Sequence, residues 1–179
     1  AQGTNFAATD KDGLTALMYA FKYNTDPKVT LTLIQAMKAQ GANFDAATQH
    51  GWTALMFACR HKADSSVTLA LFEAMKAQSA NFAATDKDGH TALMLACANK
   101  ADPTVTLALI EAMKAQSANF TATDKDGFTA LMLASANKAD PSVTMTLIET
   151  MKAQGANFDA AAQHGWTALM FACGSKADS

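Results

Sequence analysis

Apolar residues along the chain alternate between two patterns, seen most clearly between Gly89 and Asp126. First comes an almost unbroken apolar run, ALMLACA at 92–98, with no charged side chain. A short helix apolar nearly all round needs neighbours on several sides. Next, Val105–Gln116 places Val105, Leu109, Ala112, Met113 and Gln116 mostly three and four residues apart. That spacing predicts an amphipathic helix with those five on an inward stripe. Leu107 and Ile110 widen the stripe toward adjoining units, and Glu111 and Lys114 lie toward water. Thr91 is placed to cap the first helix, its hydroxyl accepting from an early backbone N–H. Asp102 before Pro103 is a second start signal, an N-cap followed by Pro at the first helical position. In the preceding copy Asp64 stands before Ser65 instead. Gly41 and Gly155 follow the second helix where a left-handed cap favours Gly. Ser79 and Ser117 take that place elsewhere, at up to ~1 kcal/mol each. Asp86-Lys87-Asp88-Gly89 then reads as a tight turn after an extended excursion.

The pattern repeats every 38 residues. Residues 51–65 read GWTALMFACRHKADS and residues 165–179 read GWTALMFACGSKADS. Aligning on Gly13, Gly51, Gly89, Gly127 and Gly165 gives units 13–50, 51–88, 89–126 and 127–164, a head 1–12 and a partial unit 165–179. One unit cannot bury its apolar helix alone, whereas stacked units cover it on both sides. The prediction is an all-α, single-domain solenoid of helix-turn-helix units with extended turns between them. It should grow by about 8–10 Å per unit, the spacing of packed helices.

This arrangement resembles the ankyrin repeat. The carriers are G-x-T-A-L-M-x-A at Gly51–Ala58 and its copies, L-I-x-A-M at Leu109–Met113, and G-A-N-F-D-A at Gly41–Ala46. The resemblance covers essentially the whole chain, with departures. T-A-L-M stands where the family has T-P-L-H, so Met18, Met56, Met94, Met132 and Met170 replace His. A thioether is expected not to make the hydrogen bonds of that His, leaving apolar packing to substitute. The unit is also longer than the family's usual length of about 33 residues. The excess at Lys100–Thr106 predicts a lengthened second helix. The resemblance implies a non-enzymatic protein-binding surface, with a protein partner on the concave side touching turn tips and the ends of the first helices.

Composition narrows the chemistry. Half the residues are apolar, 17% are charged and the net charge is −2. There is ample material for a core and no basic footprint for nucleic acid. No apolar run approaches the ~20 residues of a membrane span, and no signal peptide is visible. Cys59, Cys97 and Cys173 share one register position with Phe21 and Ser135, which reads as helix packing. An odd count of thiols outside a disulfide framework fits the cytoplasm or another reducing compartment. His50, His61, His90 and His164 lack metal-ligand spacing. The Asp-x-Asp-Gly tips lack the glutamate that closes a calcium loop. No cofactor, metal or catalytic constellation is expected.

Function is sought where copies differ. Change concentrates just after each turn glycine (Leu14, Trp52, His90, Phe128, Trp166) and at the end of each first helix (Lys22-Tyr23, Arg60-His61, Ala98-Asn99, Ala136-Asn137, Gly174-Ser175). From these we take Leu14, Tyr23, Trp52, Arg60, His61, His90, Asn99, Phe128 and Trp166 as candidate partner-binding residues. Trp52, Arg60 and His61 with Tyr23 form the preferred hot spot, since aromatics and Arg dominate interface energetics. Phe128 and Trp166 suggest a second apolar patch. An aromatic after the turn glycine can instead simply cover the next unit's turn. Two tips, Gln49-His50-Gly51-Trp52 and Gln163-His164-Gly165-Trp166, are near-copies, from duplication or for paired contacts on one partner. The chain is expected to be a monomeric interaction module. The alternatives are an assembly stacking through its open ends and a targeting arm of a larger enzyme or effector.

Overall fold

The computed structural model describes residues 5–174; Ser175, one of the variable positions, and the outermost residues of the head and partial unit lie outside them. Among the described residues the elements are all helical: α1 (Ala16–Lys22), α2 (Pro27–Ala39), α3 (Ala54–Arg60), α4 (Ser65–Ala77), α5 (Ala92–Asn99), α6 (Pro103–Ala115), α7 (Ala130–Ala136), α8 (Pro141–Ala153) and α9 (Ala168–Gly174). The odd-numbered helices pack in sequence as one row and α2, α4, α6 and α8 as a second. The odd helices have 7 or 8 residues and the even ones 13.

Local chemistry sets these boundaries. Thr15, Thr53, Thr91 and Thr129 each accept a hydrogen bond from the N–H of the Met three residues on, at 3.2–3.3 Å. Asp26, Asp64, Asp102 and Asp140 do the same for the longer helices. The second helix of the third unit therefore starts at Pro103, two residues before the apolar stripe predicts. The short helices end on left-handed residues, Asn24, Lys62, Lys100 and Lys138, with φ near +50°. The next N–H bonds back five residues, as in Ala101 N–H to the Ala96 carbonyl at 2.9 Å, a Schellman-type closure. These stops carry no glycine, so the sequence does not announce them. Ser79 and Ser117 do adopt the left-handed conformation that Gly41 and Gly155 adopt.

The core runs through every junction. Leu17, Met18, Leu55, Met56, Leu93, Met94, Leu131 and Met132 are all buried in the first-helix row. Leu71, Leu109 and Leu147 are buried in the second row. Two expectations need correction. Gln116 is not on the apolar stripe. It is an exposed C-cap whose side chain reaches back one unit, donating to the Ala80 carbonyl and accepting from Phe82 N–H at 3.1 Å. Gln154 repeats this clamp on Ala118 and Phe120, and Gln78 donates to Ala42. The recurrence of Gln there reflects backbone groups left unpaired between units. The second correction concerns Met18, whose sulfur accepts from Thr15 N–H at 3.4 Å. In the first unit the thioether thus makes one weak bond of the kind it was expected to lack.

Between units the chain is extended, with isolated bridges at Thr9–Thr15, Ala47–Thr53, Thr85–Thr91 and Ala161–Thr167. Adjacent turn tips are laced together: Gln49 N–H to Asp12, Lys87 N–H to His50, Lys125 N–H to Asp88 and Gln163 N–H to Asp126 carbonyls, at 2.8–3.3 Å. This lacing brings Gly51 so close to the next tip that a Cβ there would meet Asp86 Cα at 2.9 Å, at φ +81°. A Cβ on Gly41, at φ +64°, would meet nothing within 4 Å. Gly41→Ala should therefore cost about 1 kcal/mol from backbone conformation alone. Gly51→Ala should cost about 3 kcal/mol, because the tip must also move. Urea unfolding of both variants checks this; equal losses would show that the tip contact contributes nothing.

Candidate functional site

A groove of about 750 Å³ spans the first three units and is lined by turn tips and by the ends of α1 and α3. The tips contribute Asp12, Leu14, Thr48, His50, Trp52, Asp86, Lys87, Asp88 and His90, and the helices contribute Lys22, Phe57, Arg60 and His61. Its volume lies in the range of about 300–1,000 Å³ typical of ligand sites.

An aromatic column forms its centre. Trp52 packs on Phe57 with ring centroids 5.2 Å apart, and Phe57 stacks on His61 at 6.2 Å. The Arg60 guanidinium lies 5.6 Å over the Trp52 ring. Lys22 Nζ sits 5.5 Å from the Tyr23 ring and 5.9 Å from that of Tyr19. Among the described residues neither Lys22 nor Arg60 has a carboxylate partner. The charge they create is felt by His61, whose imidazole is held below its ordinary range by burial first, then by Arg60 and Lys22.

The opposite wall is acidic and internally bonded. Asp86 Oδ1 accepts from the N–H groups of Asp88 and His90 at 2.9 and 2.8 Å. His90 Nδ1 lies 3.0 Å from Asp86 Oδ2 of the preceding unit, and its Nε2 lies 3.8 Å from Asp124 Oδ2 at the far end of its own unit. Asp88 pairs with Lys125 at 3.0 Å, which holds its carboxyl below the usual range. Ligand atoms of Asp86, Asp88 and His90 lie within 4.8 Å of one another. Those contacts already close the turn and join the second unit to the third.

The nine candidates fall into distinct settings. Leu14, Trp52, Arg60, His61 and His90 line this groove. Leu14 does so from within the core, where it is buried. Tyr23 is 66% exposed and stacks on Tyr19 outside the groove lining. Asn99 donates its side-chain amide to the Leu95 carbonyl of its own helix at 2.8 Å. Phe128 and Trp166 meet through Phe171, at 5.6 and 5.1 Å, in a second cluster at the far end. The two Trp tips are not equivalent. Gly174 stands in the register of Arg60, and a Cβ there would meet the Trp166 ring at 2.9 Å. Among the described residues the second indole thus covers a helix and carries no cation.

Lys22 and Phe57 line the groove without being among the nine candidates. Lys22 stands in the register of Arg60, so position alone could have found it. Phe57 shares its register with Leu95 and Leu133 and is buried in the core as Leu95 is, with one edge reaching the groove.

The short helices, long helices and laced tips match a known repeat type. A family model described as ankyrin repeats, three copies, matches residues 2–81, 30–115 and 69–145. The chain belongs to the ankyrin-repeat family. Comparison with curated proteins gives no match. Ankyrin repeats are generic protein–protein interaction modules and are typically non-enzymatic. The array's two buried thiols fit that picture: burial pushes Cys59 and Cys97 up to about 12, far from the range of a nucleophilic thiolate. No described helix is long and apolar enough to cross a membrane.

The low proton affinity of His61 predicts a pH dependence. Unfolded, the imidazole returns to its ordinary value near 6.5. Its contribution to stability is present above that value and lost as pH falls through the lower folded value. Between about pH 7.5 and about pH 5 the Tm of the parent array should fall further than that of His61→Gln. Parallel Tm curves for the two proteins would remove His61 as the cause.

Proposed function

We propose that the array is a non-enzymatic module that docks a protein partner over Trp52, Arg60 and His61. The observation carrying this reading is the cation–aromatic column with its unpaired Arg60 at the centre of a groove spanning three units. Trp and Arg on a preformed surface are the residue types that dominate binding energy. The scaffold does not require them, since α7 forms with Ala136 in the place of Arg60 and Phe128 in that of Trp52. Nucleic acid fits poorly, because Asp12, Asp86 and Asp88 line the same groove. The three free thiols favour a reducing compartment.

The test is partner capture from cell extract by the parent array, by a Trp52/Arg60/His61 triple Ala variant, and by a Glu73/Lys76 double Ala variant on α4. The triple variant should lose a specific partner that the α4 variant retains, with circular dichroism unchanged. Equal capture by all three proteins would end this reading.

A second reading, association through the exposed face of α9, rests on a separate observation. Leu169 and Met170 are 72% and 52% exposed, whereas Leu131 and Met132 at the same register are 3% and 2% exposed. Burying two such side chains is worth about 1.5–3 kcal/mol each. Light scattering across concentration decides. A concentration-dependent rise in mass that Leu169→Glu abolishes supports association, and a constant monomer mass removes it.

A further inference from the structure

The groove has more specific chemistry than docking alone requires. Its charge is divided, with Lys22 and Arg60 at the ends of α1 and α3, and with Asp12, Asp86 and Asp88 and one cation, Lys87, at the turn tips. The two helix-end cations are resident without being structural. Positions 98, 136 and 174, in their register, are Ala, Ala and Gly, and α5 and α7 are as well formed as α3. Both cations rest on aromatic faces instead of on carboxylates. A guanidinium over an indole keeps its N–H edges free to donate to an incoming oxyanion. Beneath them the Trp52–Phe57 pair offers an apolar floor. The His61 imidazole beside them is held below its ordinary range by burial first, and then by these two cations.

We propose that the occupant is an extended, acidic-hydrophobic peptide segment of a partner protein, its Asp or Glu carboxylate held by Arg60 and Lys22 and a neighbouring aromatic or aliphatic side chain lying on Trp52 and Phe57. This rests on the docking reading above and adds the ligand's chemistry. A carboxylate is favoured over a phosphate for a geometric reason. The groove receives the C-terminal ends of α1 and α3, capped at Tyr23 and His61, whose carbonyl dipoles oppose negative charge. Two cations against those dipoles suit one negative charge better than two. Asp12 and Asp88, only partly offset by Lys87 and by the Lys125 paired with Asp88, turn away a uniformly acidic chain, so the acidic residue must be flanked by apolar or basic ones.

The probe is a displayed library of random, unphosphorylated decapeptides selected on the parent array. Enrichment of Asp or Glu within two positions of Phe, Tyr, Trp or Leu is expected. A synthetic copy of the leading sequence is then measured with its acidic residue intact, as the amide (Asn or Gln), and as phosphoserine. Loss of the charge should weaken binding about tenfold, as removal of one charge-assisted contact does, and phosphoserine should not improve on the carboxylate. Arg60→Glu should lose the acidic selection and Trp52→Ala the apolar one, while Glu73→Ala on α4 changes neither. Basic consensus sequences, tighter binding of the phosphoserine peptide, or no enrichment would each overturn the proposal. Apolar sequences without an acid that still depend on Trp52 would overturn it while leaving the docking groove standing. Enriched acidic sequences indifferent to both Trp52 and Arg60 would sink the groove as well.

Discussion

Everything in this protein depends on the burial of a helix that has no polar face. ALMLACA and its copies cannot be solvated as single helices, and two flanking copies exclude water from both sides. The chain contains its own control. Leu131 and Leu169 occur in the same TALM motif, yet only the one with a following unit is buried. The difference is made by the neighbour, not by the residue. Each interior junction therefore contributes of the order of several kcal/mol of apolar burial that no single unit has.

Hydrogen bonding adds register to that non-directional attraction. The Gln116 and Gln154 side chains join backbone groups of the unit before, and the tips are laced one to the next. Greasy helices alone would tolerate sliding. Bonds between fixed donors and acceptors do not, so the tips stand at regular intervals and the residues on them face a common groove. The groove surface is a by-product of the stacking constraint: positions that the seam does not use are free to differ, and Trp52, Arg60, His61 and Lys22 are among those that do.

The candidate residues separate on the same ground. Trp52 and Arg60 have surface to offer because the seam is already closed beneath them. His90 varies between copies, yet its imidazole is committed to Asp86 and Asp124 across a unit boundary. Asn99 closes its own helix, and Leu14 belongs largely to the core. Variation between copies marks freedom from the seam, and it does not distinguish a side chain awaiting a partner from one that has found a partner within the array.

By itself the sequence determined the period, the helix-turn-helix unit, the Thr and Asp caps, and the left-handed serines at 79 and 117. All of these follow from local backbone chemistry or from periodicity, which a linear string records. It also pointed to Trp52, Arg60 and His61, because internal copies expose departures from the pattern. The tertiary structure alone decided that Lys22 and Phe57 complete the groove and that Gln116 is a clamp. It alone decided that Trp166, lacking a cation at Gly174, differs from Trp52. Those facts depend on contacts between residues one unit or more apart, or on which side of a ring a neighbour falls, and spacing along the chain carries neither.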